Sequence, residues 1–304
     1  MKKYLLILSA LSVFSCSDYK LSGVGEVAPG ADLPEIDSGQ PESLPPVDTG
    51  SDTPEEEPEP TAPVAICSVT PDPVSPPFEV ATWVGIDSFD PRGEEIEQYD
   101  WQLVSAPEGS AVTMPFGEAN RGPFTPVLAG DYTARLIVTN ESGLVSDPCE
   151  VTLQAIPDQN LWVEMFWSEF QDDMDLHLLR NDGPLESSSD CYYSNCTPAR
   201  QMFFPMDWGV SGYEEDNPVL DLDDIPGTGP ENINIADPES GVEYTVVVHD
   251  YTGSTPDVYG ENDVTVNIYL DGSLAWTDTR TITGDGSYTY FARIDWSTGT
   301  IIDL

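Results

Sequence analysis

The sequence predicts an all-β protein with two β-sandwich modules behind an N-terminal linker. Short runs in which apolar and polar residues alternate recur along the chain, and the clearest is Asp263–Leu270, which is followed by the hairpin signal Asp271-Gly272. The 304 residues include 28 Pro and 24 Gly, a composition that favours strands and turns over helices. The 3.6-residue apolar period of an amphipathic helix is not evident over any useful length.

The chain is strongly acidic, with 55 Asp and Glu against 10 Lys and Arg and a formal net charge of −45 at pH 7. Nucleic-acid binding requires basic surface that displaces counterions, so this balance excludes a nucleic-acid partner. It also argues against docking to anionic lipid headgroups through a polybasic patch. Such acidity makes a cation site easy to build, and it is equally typical of proteins from salty environments.

Residues 1–15 are predicted to be a signal peptide. Lys2 and Lys3 provide a short basic start, and the eleven residues from Tyr4 to Phe14 are apolar apart from one Tyr and two Ser. A helix needs about 20 apolar residues to span a bilayer, so this run is an export signal rather than a stable membrane span.

The signal ends in Val13-Phe14-Ser15-Cys16, and a small residue directly before a cysteine resembles the lipobox of bacterial lipoproteins. The resemblance implies cleavage before Cys16, a diacylglycerol on its thiol and, because Ser17 rather than an Asp follows, transfer to the outer membrane. We therefore expect a lipid-anchored protein of the bacterial cell envelope that meets the membrane through this anchor. The alternative is an ordinary secretory signal with an incidental cysteine.

Residues 16–61 are predicted to be a disordered linker. Residues 17–61 hold twelve Asp and Glu, eight Pro and almost no large apolar residues. Such a segment cannot bury enough apolar surface to offset the entropy lost on ordering, and proline stiffness and charge repulsion keep it extended. We expect it to hold the folded part of the chain away from the membrane, and a spacer without function would have the same composition.

Residues 62–157 are predicted to form the first sandwich. The spacing of strands and turns suits a sandwich of about 90–100 residues. Alternating apolar residues indicate strands at Phe78–Val84, Tyr99–Leu103, Tyr132–Val138 and Val151–Leu153.

Four segments of this region resemble polycystic-kidney-disease (PKD) type immunoglobulin-like domains. They are the turn Asp87–Gly93 (DSFDPRG), the triplet Tyr99-Asp100-Trp101, the segment Leu103–Ser110 and the strand Ala129–Asn140 (AGDYTARLIVTN). The resemblance implies an immunoglobulin-like fold and a ligand-presenting or spacer module without catalytic activity of its own.

Residues 158–304 are predicted to form the second sandwich, which we expect to be jelly-roll-like and to contain about eight strands. Besides Asp263–Leu270, strands are indicated at Asn232–Ile235, Glu243–Val248 and Tyr288–Ile294.

An ordered series of motifs in this second module resembles a family of uncharacterised bacterial exported β-sandwich domains with the pattern DxDLHL, CYY and LDxDDxxGxGPENI. The family implies no defined activity. The matching segments are Asp172–His177, Cys191–Tyr193, Asp207–Gly209 and Asp221–Ile233.

After Cys16, four cysteines remain, and an even number in an exported chain suits two disulfides out of three possible pairings. In the immunoglobulin-like interpretation, Cys67 and Cys149 lie in neighbouring first and last strands, which favours a bridge between them. Cys191 and Cys196 would then close a short loop. The rival hypothesis is a thiolate zinc site at Cys191 and Cys196, although their spacing is poor for zinc.

Acidic residues in two of these motifs are arranged to bind a cation. Side chains at positions i and i+2 of a strand share a face, so Asp173, Asp175 and His177 are expected to project together. Asp221 and Asp223 repeat this spacing before a glycine-containing loop. The predicted ligands are Asp173, Asp175, His177, Asp221, Asp223, Asp224 and Glu231, with a further oxygen from Asn232.

Calcium is the metal that this ligand set favours. It takes about six to eight oxygen ligands, and clustered carboxylates are costly to hold together without a cation. Zinc is the second candidate, because His177 could join two carboxylates. The alternative is a solvated acidic loop that binds no metal.

No catalytic motif stands out in the sequence. HExxH, GxSxG and a P-loop are absent, and the only histidines are His177 and His249. We therefore expect a non-catalytic, surface-exposed binding or adhesion protein with a calcium-stabilised C-terminal module. Its ligand is expected to be a carbohydrate or a protein surface, contacted through exposed aromatic side chains. The candidates are Trp208, Tyr213, Tyr251 and Tyr259.

Two other functions stay open at this point. One is a carbohydrate-active hydrolase, or its accessory domain, that uses Asp175 and Glu231 as a carboxylate pair. The other is a purely structural component of the envelope.

Overall fold

The computed structural model describes residues 59–304, except 113, 115–119, 171, 226, 252–260 and 285, and only the backbone at 120–122. The predicted signal peptide, Cys16 and nearly all of the predicted linker lie outside the described residues. Within the described part of the chain, no helix is long and apolar enough to cross a membrane.

The first half of the described chain forms two three-stranded antiparallel sheets, with strand orders β1-β2-β4 and β3-β5-β6. Trp83 and Trp101 lie between the sheets, fully buried and with ring centroids 6.1 Å apart. The strands are β1 (Ser68–Thr70), β2 (Ala81–Val84), β3 (Ile96–Ser105), β4 (Asn120–Phe124), β5 (Gly130–Asn140) and β6 (Cys149–Ala155).

Strand β2 is shorter than the predicted strand Phe78–Val84. The Glu79 N–H donates to the Ser75 carbonyl at 3.1 Å, and the Glu79 carboxylate accepts the Ser75 N–H at 2.7 Å. These two bonds form a turn that leaves Phe78 64% exposed, so the sheet begins only at Ala81.

The second half forms two five-stranded antiparallel sheets, with strand orders β10-β11-β7-β13-β14 and β16-β15-β12-β8-β9. The elements are β7 (Leu161–Trp167), β8 (Met174–Arg180), β9 (Asp190–Cys191), α1 (Pro198–Gln201), β10 (Val219–Leu222), β11 (Glu231–Ile235), β12 (Glu243–Asp250), β13 (Asn262–Leu270), β14 (Ser273–Ile282), β15 (Tyr288–Asp295) and β16 (Thr300–Asp303).

These elements confirm the predicted all-β sandwich class. The described residues of the second half contain ten strands rather than about eight. Two-residue β9 and four-residue β10 and β16 are too short to show an alternating pattern, which is why the sequence does not reveal them.

The core of the second sandwich lies between its two sheets. Alternate residues of β7, β8 and β12, such as Val163, Leu176 and Val246, point into it and are completely or almost completely buried. The other face of β7 is also covered, because Trp162 packs against Ala129 of the first sandwich. All seven residues of β7 are therefore buried, and apart from Glu164 they are apolar rather than alternating with polar residues.

The four described cysteines form two disulfides, Cys67–Cys149 and Cys191–Cys196. Cys67 directly precedes β1 and Cys149 begins β6, so the first bridge joins the two sheets of the first sandwich. The second closes a local loop, and because both of its sulfurs are bonded to each other, a thiolate zinc site is not formed there.

The turn Asp87–Gly93 is built around a satisfied carboxylate. Asp90 is 5% exposed, and its two oxygens accept hydrogen bonds from the Arg92 N–H at 2.7 Å and from Asn140 Nδ2 at 2.9 Å. The hydrogen bond from Asn140 is the main reason that the pKa of Asp90 is lowered. This acidic turn is structural, since its buried oxygens are already occupied.

Candidate functional site

The candidate site lies beside the first half of β8, which does not pair with strand β9. Strand β9 pairs with β8 only at Leu178 and Leu179, so the first half of β8 has no β9 residue beside it. Glu231, the first residue of β11, fills part of this gap, and its Oε2 accepts the Leu176 N–H at 2.8 Å. A carboxylate from one sheet is thereby held against a strand of the other.

Three carboxylates meet at this place. Asp175, Asp223 and Glu231 each offer an oxygen, and these three oxygens lie within 4.8 Å of one another. Asp175 and Glu231 are 2% and 1% exposed, whereas Asp223 is exposed. The cluster is therefore closed on the protein side and open to solvent beside Asp223.

The electrostatics of the cluster favour a cation or protons. Burial, followed by repulsion from Asp175, raises the pKa of Asp173 to about 7. The same two causes, in the same order, raise the pKa of Glu231 well above its usual range and also raise that of Asp223. Asp173 Oδ1 and Glu231 Oε1 are buried and accept no hydrogen bond from the described residues. Buried carboxylate oxygens without donors are uncommon in proteins and call for an explanation such as a bound ion.

Two predicted ligands of the loop have other contacts. Asp224 lies close enough to raise the pKa of Asp173, but its Oδ2 accepts the Gly229 N–H at 2.9 Å and so shapes the loop. Asp221 does not join the cluster, because its Oδ2 accepts a hydrogen bond from Asn234 at 2.7 Å. The expected shared face of Asp221 and Asp223 fails because the register of β10 is irregular between Leu220 and Leu222, where the strand ends.

His177 is also placed differently from the expectation. It is fully buried, and its Nδ1 lies 2.7 Å from Asp190 Oδ2, while its ring stacks on Tyr192 with a centroid distance of 5.1 Å. His177 is not among the three residues whose donor atoms converge, and its buried Nε2 has no hydrogen-bond partner among the described residues, so its role as a metal ligand stays a prediction.

The histidine beside the cluster is His249, which sequence reasoning did not include. Its Nδ1 lies 3.3 Å from Asp175 Oδ2, and its ring stacks on Tyr288 with a centroid distance of 4.1 Å. Tyr251 and then Tyr193 continue this aromatic wall, with successive centroid distances of 5.8 and 5.7 Å. His249 is the next-to-last residue of β12, in which every residue after Glu243 is buried, so the sequence could place it at the end of a strand but not beside Asp175.

The predicted aromatic contact residues do not form one surface. Trp208 is 3% exposed, and its Nε1–H donates to the Ser188 carbonyl at 2.8 Å, so it is a core residue and not a ligand platform. Tyr213 is 39% exposed but bonds to Glu215. Tyr251 belongs to the aromatic wall described above, and Tyr259 lies outside the described residues.

No protein-family model and no curated protein matches this chain. One similar solved structure comes from work on the promiscuous specificity of carbohydrate-binding modules of the β-sandwich superfamily. The alignment has 12% sequence identity, covers 77% of this chain and 84% of that one, and has a TM-score of 0.26. Similarity at this level gives no information about a shared ligand.

Proposed function

We propose that this chain is a lipid-anchored, non-catalytic binding protein of the bacterial cell envelope whose second sandwich holds a calcium ion. The carboxylates of Asp175, Asp223 and Glu231 would be the protein ligands, and a carbohydrate or protein surface outside the cell would be the partner. The single observation that carries the metal proposal is the convergence of these three oxygens within 4.8 Å.

The chemistry of the donors favours calcium. All three converging donors are carboxylate oxygens, which is the ligand type that calcium prefers. Zinc prefers nitrogen and sulfur, whereas the three converging donors are all carboxylate oxygens. His249 Nδ1 lies 3.3 Å from Asp175 Oδ2 but is not one of these donors, so zinc is the second candidate. Asp173 lies beside the three ligands and its buried Oδ1 has no donor, so it would supply further negative charge or a fourth oxygen.

Burial of the pair Asp175 and Glu231 favours a cation over the alternative of a glycoside hydrolase. Hydrolysis of a glycosidic bond requires the sugar to lie between two accessible carboxyl groups. These residues are 2% and 1% exposed, and one oxygen of Glu231 is bound to the Leu176 N–H. Two carboxyl groups with so little exposed surface are poorly placed to flank a glycosidic bond.

Calorimetric titration of the chelator-treated full chain in detergent tests the metal proposal. We expect calcium binding and a higher melting temperature, since a thousandfold excess of ligand over its Kd stabilises a protein by about 4 kcal/mol. Asp223→Asn should remove both effects, whereas Asp147→Asn, which makes the same charge change at an exposed position of the first half, should keep both. Absence of calcium binding, or binding of zinc alone, would contradict the proposal.

The anchor is tested separately by metabolic labelling with a fatty-acid probe. The full chain should be labelled and should partition into detergent, and Cys16→Ala should do neither. Labelling of the variant at the level of the wild type would refute the anchor without affecting the calcium proposal.

A further inference from the structure

The calcium site of the proposed function would leave coordination positions free. Three carboxylates cannot alone complete the six to eight oxygens that calcium takes unless all of them bind through both oxygens. Glu231 has one oxygen committed to the Leu176 N–H, so it cannot contribute both without sharing. Because Asp175 and Glu231 are buried and Asp223 is exposed, the free positions face solvent on the side of Asp223.

The charge around the ion determines which ligands can take these positions. The cluster and its surroundings hold five neighbouring carboxyl groups, those of Asp173, Asp175, Asp223, Asp224 and Glu231. Five carboxylates would exceed the double charge of calcium. A carboxylated or phosphorylated ligand would meet this excess negative charge and the −45 charge of the whole chain. A ligand that binds through neutral oxygens would not be repelled by this charge.

Hydroxyl groups are the neutral oxygens that suit such a place. A hydroxyl presents lone pairs to a metal and still has a hydrogen to donate to a carboxylate oxygen. Adjacent hydroxyls of a sugar offer two such oxygens to one ion. The rim carboxylates of Asp223 and Asp224 are ready acceptors for their hydrogens, because both residues are at least partly exposed.

An aromatic wall lies beside Asp175 of the same cluster. Tyr193 and Tyr251 are half-buried, with ring centroids 5.7 Å apart, and Tyr251 packs edge-to-face on His249, whose Nδ1 is 3.3 Å from Asp175 Oδ2. Tyrosine offers an apolar ring face together with a polar hydroxyl. Burial raises the pKa of Tyr193 to about 12, so its hydroxyl stays protonated and neutral at physiological pH.

From the open coordination side, the excess negative charge and the adjacent tyrosine wall, we infer that the second sandwich binds a neutral carbohydrate through a vicinal diol on the calcium ion, with Tyr193 packed against the sugar. This inference rests on the proposed calcium site. It assigns the ligand to a chemical class, a neutral polyol, and to one face of the second sandwich.

The test is a glycan array that carries neutral oligosaccharides and their sialylated or uronic-acid counterparts, probed with the full chain in detergent. We expect binding to neutral glycans in calcium, none in chelator, and weak or no binding to the carboxylated set. Binding that persists in chelator, or that prefers carboxylated glycans, would overturn the inference.

Variants separate this inference from the calcium proposal. Tyr193→Ala should weaken glycan binding about tenfold, the size expected from losing one aromatic packing contact, and should leave the calcium Kd unchanged. The matched control is Tyr213→Ala, which removes a partly exposed tyrosine elsewhere, and Tyr193→Phe should retain most of the binding.

If Tyr193→Ala folds, binds calcium and binds glycans as the wild type does, the inference is wrong. Calcium binding without any glycan binding would also refute the inference and leave the proposed function intact, whereas loss of calcium binding in the wild type refutes the proposed function itself.

Discussion

The buried carboxylate of Asp90 in the first sandwich and those of the acidic cluster in the second sandwich have opposite surroundings. In the first, Asp90 receives hydrogen bonds from the Arg92 N–H and from Asn140, and its pKa is lowered. In the second, Asp173 and Glu231 face other carboxylates, each has one buried oxygen that accepts no hydrogen bond from the described residues, and their pKa values are raised. The difference shows that burial alone does not identify a functional acid. The groups that surround it decide whether it is structural or a candidate ligand.

A further buried acid, Glu164, extends this comparison. It is 1% exposed at the contact between the sandwiches and accepts hydrogen bonds from the Ala129 N–H, Trp162, Asn267 and Tyr269. Burial still raises its pKa, although these four donors act in the opposite direction. Glu164 therefore has a structural role like that of Asp90, and no metal is needed to explain its burial.

The disulfides should show the largest difference between the sandwiches. Replacing Cys67 and Cys149 by Ser opens a loop with a sequence separation of 82 and should cost about 2–4 kcal/mol of unfolding free energy. Replacing Cys191 and Cys196, separated by 5, should cost less, because the entropy of the unfolded chain rises less. Urea denaturation of both variants measures the two costs, and a larger loss from the short loop would reverse this expectation.

Removing the hydrogen bond from Asn140 should leave Asp90 with a buried oxygen that has lost its donor, as in the acidic cluster of the second sandwich. Asn140→Ala removes the donor to Asp90 and the acceptor for the Leu144 N–H, so it should destabilise the protein by about 1–3 kcal/mol. Calcium should not restore the loss, because among the described residues of the first sandwich no three metal-ligating side chains converge. Thermal melting with and without calcium provides the measurement, and rescue by calcium would contradict the structural role of Asp90.

The pH dependence of stability should have opposite signs in the two regions. In the metal-free protein, Asp173 keeps its proton up to about pH 7 when folded but loses it near pH 4 when unfolded, so stability falls with rising pH across that window. One such group gives a slope of up to about 1.4 kcal/mol per pH unit. Asp90, with its lowered pKa, contributes stability that is present above its unfolded pKa and lost as the pH falls further. Melting in chelator should show the first trend, and Asp173→Asn should flatten it; an unchanged slope in that variant would argue against the raised pKa.

Glu231→Gln should change the stability of the metal-free protein least, and it should increase that stability rather than decrease it. The amide oxygen can still accept the Leu176 N–H, while one charge of the crowded cluster is removed. We expect the metal-free protein to gain about 1 kcal/mol of stability and to lose its response to calcium. Asp90→Asn is the matched change in the first sandwich and should be destabilising, because Asp90 has donors rather than like charges around it. Destabilisation by both variants would remove the contrast between the regions.

The sequence by itself determined the all-β class and the faces of the long strands. Alternation over β5 and β13 depends only on the pleat, in which successive side chains point to opposite sides, so local residues suffice to predict it. The pattern DxD in Asp173–Asp175 likewise predicts two neighbouring carboxylates, and the structure keeps them near one another, although only Asp175 belongs to the cluster of three.

The tertiary structure alone decided which acids meet. Glu231 joins Asp175 because β9 is too short to cover β8, and Asp221 leaves the cluster because the register of β10 is irregular. His249 rather than His177 lies beside Asp175 because β12 runs antiparallel to β8 with His249 opposite Asp175. Strand neighbours and registers arise from contacts between residues far apart in the chain, and no local periodicity encodes them.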